Sequence, residues 1–202
     1  KLKNLIFILL LLSVVEVRAQ YSPVKDTIIT KDSVVAGKEY WTIRSQVQSR
    51  IFPGQEGVML NGVRDGEWRT YTSTTNLKSV AEYKNGMKNG PYKEYYDYAG
   101  PVSLEATFRN DTLEGQRTMV TESGQIKLKE HYIHGNLEGE RIIWTESGQV
   151  ILKENYIHSK LEGERNTFYD DGKPKEESIW KNGGMDGVAK WYHENGKIPI
   201  EN

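Results

Sequence analysis

Beyond residue 57 the apolar positions alternate with polar ones inside short segments, and the segments themselves return every 24 residues, once after 25. In "GQIKLKEHY" Ile126 and Leu128 alternate with Lys127 and Lys129, with Tyr132 on the Ile face, and in "GEWRTYT" Trp68 and Thr70 alternate with Arg69 and Tyr71. Period two, rich in β-branched and aromatic residues and bounded by turn signals, is the pattern of a strand. After residue 20 no segment keeps a helical period for three turns.

The longer period organises these strands. "YIHGNLEGER", from Tyr132, returns as "YIHSKLEGER" from Tyr156, and its closing glycine recurs as Gly66, Gly90, Gly115, Gly139, Gly163 and Gly187. Five residues earlier stand Asn61, Asn85, Asn110, His134, His158 and Asn182, each followed by Gly, Asp or Ser. Such dipeptides tolerate the positive φ of tight turns. A second glycine series, Gly100, Gly124, Gly148, Gly172 and Gly196, sits in further turn sequences such as "TESGQ" and "HENGK". Six copies cover residues 57–202, and a fixed period of this size marks a repeat architecture. The expected fold is all-β: an elongated single-layer antiparallel meander of stacked β-hairpins, with the six motif glycines as repeat turn residues. About a dozen strands at ~4.8 Å each make a sheet on the order of 55 Å long.

"YKNGMKNGPYKEYYDYAG", "YIHGNLEGERIIWTESGQ" and "WKNGGMDGVAKWYHENGKI" resemble the variant MORN repeat, as found in bacterial proteins of the YwqK antitoxin family. The resemblance rests on the aromatics Tyr83, Phe108, Tyr132, Tyr156 and Trp180 and the apolar Leu113, Leu137, Leu161 and Met185. It implies stacked hairpins and, through the family label, an antitoxin or immunity role. Arg117, Arg141 and Arg165 depart from the pattern, which favours an aromatic there, and predict a more cationic exposed face in those copies.

The first stretch, "KLKNLIFILLLLSVVEVRAQ", has Lys1 and Lys3, an apolar core from Leu5 to Val15, and Val17 and Ala19 at the −3 and −1 positions of a cleavage site. That core suits a signal peptide over residues 1–19 better than a bilayer span. The expected product is exported, periplasmic or secreted. Gln20 would be its first residue and offers no lipid attachment point, so no membrane anchor is expected after cleavage. Residues 20–56 read as a capping segment of two short strands and a turn. Pro199, in the last strand, suits a sheet edge.

The charge balance, 27 Lys and Arg against 28 Asp and Glu, gives no basic surplus for nucleic acid. With no cysteine, neither a disulfide nor a thiol mechanism is open. His131 and His134 form an H-x-x-H, but at a strand end, where residues three apart face opposite sides. Glu130, Glu154 and the carboxylates preceding the motif glycines read as solvated edge and turn residues. No nucleophile elbow or phosphate loop occurs. No enzyme, catalytic residue, metal site or cofactor is expected.

Aromatics carry the remaining signal. Trp68, Tyr71, Tyr92, Tyr95, Trp144, Phe168 and Trp191 form the candidate binding face, because paired rings on a single layer cannot all be core. The expected function is a protein-interaction scaffold in the bacterial envelope. An immunity-type antitoxin and a glycan-binding surface are the alternatives, and self-association stays open.

Overall fold

The computed structural model describes residues 27–35, 37–47, 50–72, 76–97, 100–195 and 200–201. The signal peptide assigned to residues 1–19, Gly196 and Pro199 lie outside them. Among the described residues there is no helix, and 19 strands form one sheet. They run from β1 (Thr27–Val35), β2 (Lys38–Val47), β3 (Arg50–Leu60), β4 (Val63–Tyr71), β5 (Leu77–Lys84) and β6 (Met87–Tyr95) to β7 (Val102–Arg109). Then follow β8 (Thr112–Leu113), β9 (Gly115–Val120), β10 (Ile126–Ile133), β11 (Asn136–Leu137), β12 (Gly139–Trp144) and β13 (Val150–Ile157). The last are β14 (Lys160–Leu161), β15 (Gly163–Phe168), β16 (Pro174–Lys181), β17 (Gly184–Met185), β18 (Lys190–Trp191) and β19 (Ile200–Glu201). Every pairing is antiparallel and joins near neighbours in the chain, so the sheet is an open meander of hairpins. The segment read as a cap contributes β1 and β2, strands of 9 and 10 residues that extend the sheet.

Each copy turns through two left-handed residues, as at His134 (φ 50°) and Gly135 (φ 80°), the conformation Asn-Gly pairs favour. The motif glycines are not in these turns. Gly139 lies four residues beyond Gly135, where the returning strand breaks between β11 and β12. Tyr132 pairs with Leu137, yet Lys129 pairs with Ile142, so the returning strand carries two extra residues there. Glycine answers the bulge's geometry: Gly139 has φ 73°. The glutamate before it is structural too. Glu138 accepts a hydrogen bond from the backbone N–H of His158 in the next turn, 2.7 Å, and Glu114 and Glu162 repeat this to His134 and Asn182. Main-chain bonds stack the turns as well, from Gly135 N to Leu113 O and from Ser159 N to Leu137 O, both 2.9 Å.

The other edge of the sheet carries the "TESGQ" turns. Thr121 and Gln125 close one, Gly124 N donates to Thr121 O at 2.9 Å, and the Thr121 and Ser123 hydroxyls meet at 2.8 Å; Thr145 repeats the arrangement.

Among the described residues the core is led by one row of side chains running across the strands on one face, with the buried Leu128 beside it. Trp68 (3% exposed) lies opposite Ala81, and Tyr92 opposite Ala106. A large ring beside a small side chain fills the row without a second layer. Gly57 opens the space for Trp68, since a Cβ there would stand 2.4 Å from the indole, and the indole N–H donates to Val58 O at 2.8 Å. Cations cover the rings: Arg64 sits 4.4 Å from the Trp68 ring centre and 5.1 Å from that of Tyr83. Lys88 sits 4.7 Å from Tyr92 and 4.9 Å from Phe108.

Candidate interaction surface

From the third copy onward the same row is built of charges. Arg117 stands opposite Glu130, Arg141 opposite Glu154 and Arg165 opposite Ser178, whose strand also supplies Glu176. Arg117 reaches Glu130 at 2.7 Å, and Arg141 spans Glu130 at 3.1 Å and Glu154 at 3.4 Å. Arg165 spans Glu154 at 3.0 Å and Glu176 at 2.7 Å. The result is an unbroken Arg–Glu ladder across three hairpins. Tyr132 and Tyr156 donate their hydroxyls to Glu130 and Glu154 at 3.0 and 2.8 Å.

Two expectations are therefore corrected. Glu130 and Glu154 are not solvated edge residues; they are 6% and 7% exposed. Nor do the three arginines make an exposed cationic face, because each is half-buried against a carboxylate. Burial favours neutral Arg141, but the Tyr156 hydroxyl and the two glutamates outweigh it and hold its pKa above the ordinary value. For Tyr156, burial first and the hydrogen bond to Glu154 second push the phenol upward.

The candidate aromatics divide between the two faces. Trp68 and Tyr92 belong to the core row, and Tyr92 packs edge-on against Phe108 with centroids 5.5 Å apart. They are thus removed from the binding face. Trp191 pairs with Glu176 on this same face, at the end of the ladder, and is 37% exposed. The other four, Tyr71, Tyr95, Trp144 and Phe168, occupy one equivalent position, the end of the returning strand in their copies, with Val120 holding it in the third. Their partners across the hairpin junction are Leu77, Val102, Val150 and Pro174, with Ile126 opposite Val120.

Tyr71 and Tyr95 line an open groove of about 610 Å³ on the face away from the core row, together with Leu77, Val80 and Pro91. Its charged lining is Glu67, Arg69, Glu82 and Lys93. Arg69 is paired to Glu67 at 2.6 Å and Lys93 to Glu105 at 2.8 Å. The Tyr71 hydroxyl donates to Glu56, and burial first, then that bond, pushes its pKa up to about 12. Sequence reasoning did not separate this strip from the core; the return of Tyr71, Tyr95, Trp144 and Phe168 at one or two repeat periods (24, 49 and 24 residues), against Trp68 and Tyr92 three residues before the first two, is the signal that could have done so.

The histidines form no ligand set. His134 and His158 lie in turns, 3.5 and 3.9 Å from Glu114 and Glu138, and no His, Asp and Glu cluster among the described residues has a metal-holding arrangement.

Comparison of the chain with curated proteins returns no match. Residues 137–158, 161–182 and 185–198 match the MORN repeat variant, three successive copies in the phase that the hairpins display. The same two-residue register shift recurs in the upstream hairpins, so the chain is a β-hairpin repeat protein whose residues 137–198 carry the MORN repeat variant.

Proposed function

We propose that this is a non-enzymatic scaffold that holds a protein partner on the outer face of its sheet. One observation carries the reading: the core row occupies one face, while a strip of half-buried aromatic and apolar side chains runs along the other from Tyr71 to Phe168. A chain that needs those rings only for its own core would not set them on the face opposite it. The signal-like first residues support export, which puts the partner in the bacterial envelope or outside the cell. No cofactor enters this reading.

The test is affinity capture with the exported chain in the envelope fraction, compared with a variant carrying Tyr95→Ala, Trp144→Ala and Phe168→Ala. A saturable protein partner that the variant loses, at an unchanged melting temperature, supports the reading. Capture that ignores all three rings overturns it.

A further inference from the structure

We propose that the outer-face strip binds a proline-rich, basic segment in the polyproline II conformation, lying across the strands. The inference rests on the scaffold reading and names the chemistry of its partner.

Two observations point to this ligand. The first is a match of periods. The strip position returns once per copy, held by a ring in four of the first five copies and by Val120 in the third, and each copy adds two strands, so successive positions stand about 9.6 Å apart at ~4.8 Å per strand. A polyproline II helix advances about 9.3 Å in one three-residue turn. A ligand running perpendicular to the strands therefore presents the same helical face to Tyr71 and to Tyr95. The mismatch is small enough to carry through to Trp144 and Phe168. An extended β-ligand repeats its side chains every ~6.6 Å and falls out of step within one copy. An α-helix places equivalent side chains every ~5.4 Å and does the same. Proline also suits a groove whose floor is apolar (Leu77, Val80, Pro91) and whose walls are tyrosine rings, because the ring faces pack against pyrrolidine without losing conformational entropy.

The second observation is charge. The lining itself is balanced, Glu67 and Glu82 against Arg69 and Lys93, and beside it stand Glu56 and Glu105 against the exposed Lys78 of β5. The two lining cations are engaged by carboxylates, Arg69 by Glu67 and Lys93 by Glu105. The surplus is negative, so the complementary segment carries Arg or Lys between its prolines.

The experiment uses the full chain and a set of fluorescein-labelled peptides of about nine residues, three polyproline II turns. Each has Pro at the first, fourth and seventh positions with Arg among the others; a parallel set has Gly at those three positions. Anisotropy titration is expected to show micromolar binding for members of the Pro set and at least about tenfold weaker binding for their Gly counterparts. Tyr95→Ala should weaken the best peptide about tenfold. Glu67→Lys, at an exposed rim carboxylate, should weaken it severalfold and flatten its salt dependence, which keeps the test valid if Tyr95→Ala fails to fold. Equal binding of Pro and Gly sets, no binding at millimolar peptide, or indifference to Glu67→Lys in a folded chain overturns the proposal. If the peptides fail while captured protein is still lost from the three-ring variant, the scaffold stands and the polyproline ligand alone is wrong.

Discussion

Glu154 is the residue on which the ladder turns. Its carboxylate accepts from Arg165 Nε at 3.0 Å, from Arg141 Nη1 at 3.4 Å and from the Tyr156 hydroxyl at 2.8 Å. Removing a buried partner strands what it paired, and that loss exceeds the net worth of the intact pair. Glu154→Ala should therefore cost about 3 kcal/mol, the lower end for a broken buried pair because both arginines keep a second glutamate. Tyr156→Phe, which deletes one hydrogen bond, should cost about 1 kcal/mol. Urea unfolding checks both, as a lower midpoint at unchanged slope. Glu114 makes a different prediction. The backbone N–H of His134 first, and the Arg109 charge among lesser contributions, hold its carboxyl below the ordinary value. A folded pKa below the unfolded one gives stability that is present above the unfolded value and lost as pH falls through the folded value. The urea midpoint should thus drop between about pH 5 and pH 3, and Glu114→Gln should make that drop shallower; an identical acid profile in the variant would exclude the turn bond as its source.

At the scale of the hairpin, two cores serve one backbone. In the first two copies Arg64 and Lys88 stand two residues before the motif glycine and cover Trp68 and Tyr92 two residues after it. In the next three copies the order reverses: Leu113, Leu137 and Leu161 come before, and Arg117, Arg141 and Arg165 after. The opposing small residues, Ala81 and Ala106, become Glu130 and Glu154 in step. Transplanting the first solution into the fourth copy tests the equivalence: Leu137→Lys, Arg141→Tyr and Glu154→Ala together should recover at least half of the stability that Glu154→Ala alone loses, in the same urea assay. The alternation, the turn dipeptides and the 24-residue return are local signals, and the hairpins were legible from them. The ladder was not, because cross-strand partners depend on register. Counting back from the His134–Gly135 turn as a plain hairpin puts Arg141 opposite Leu128; only the two-residue bulge at Glu138 and Gly139 moves it to Glu130. The same bulge explains why the motif glycines were misread as turn residues. Adjacent rings hid the core for a related reason: alternation says that neighbours face opposite sides, but not which side is covered.

For the whole molecule, strands that touch only near neighbours make the sheet modular. A compact chain of 202 residues has a radius of gyration of about 17 Å, and this open meander should exceed that clearly in solution scattering. Modularity then dictates which deletions survive. Excising residues 139–162 joins Glu138 to Gly163, the same dipeptide junction that Glu162 and Gly163 make. Glu138 keeps a following turn to cap, now that of Asn182, and the ladder closes with Arg165 taking the place of Arg141 beside Glu130. The shortened chain should fold, unfold cooperatively with a smaller urea slope because less surface is buried, and scatter as a shorter particle. A deletion of half that length breaks the phase: it joins the two kinds of turn, inverts the faces of every later strand and puts the arginines where the outer strip should be. That chain should lose its cooperative transition, whereas equal tolerance of the two deletions would mean that the ladder and the turn stack do not set the order of the repeats.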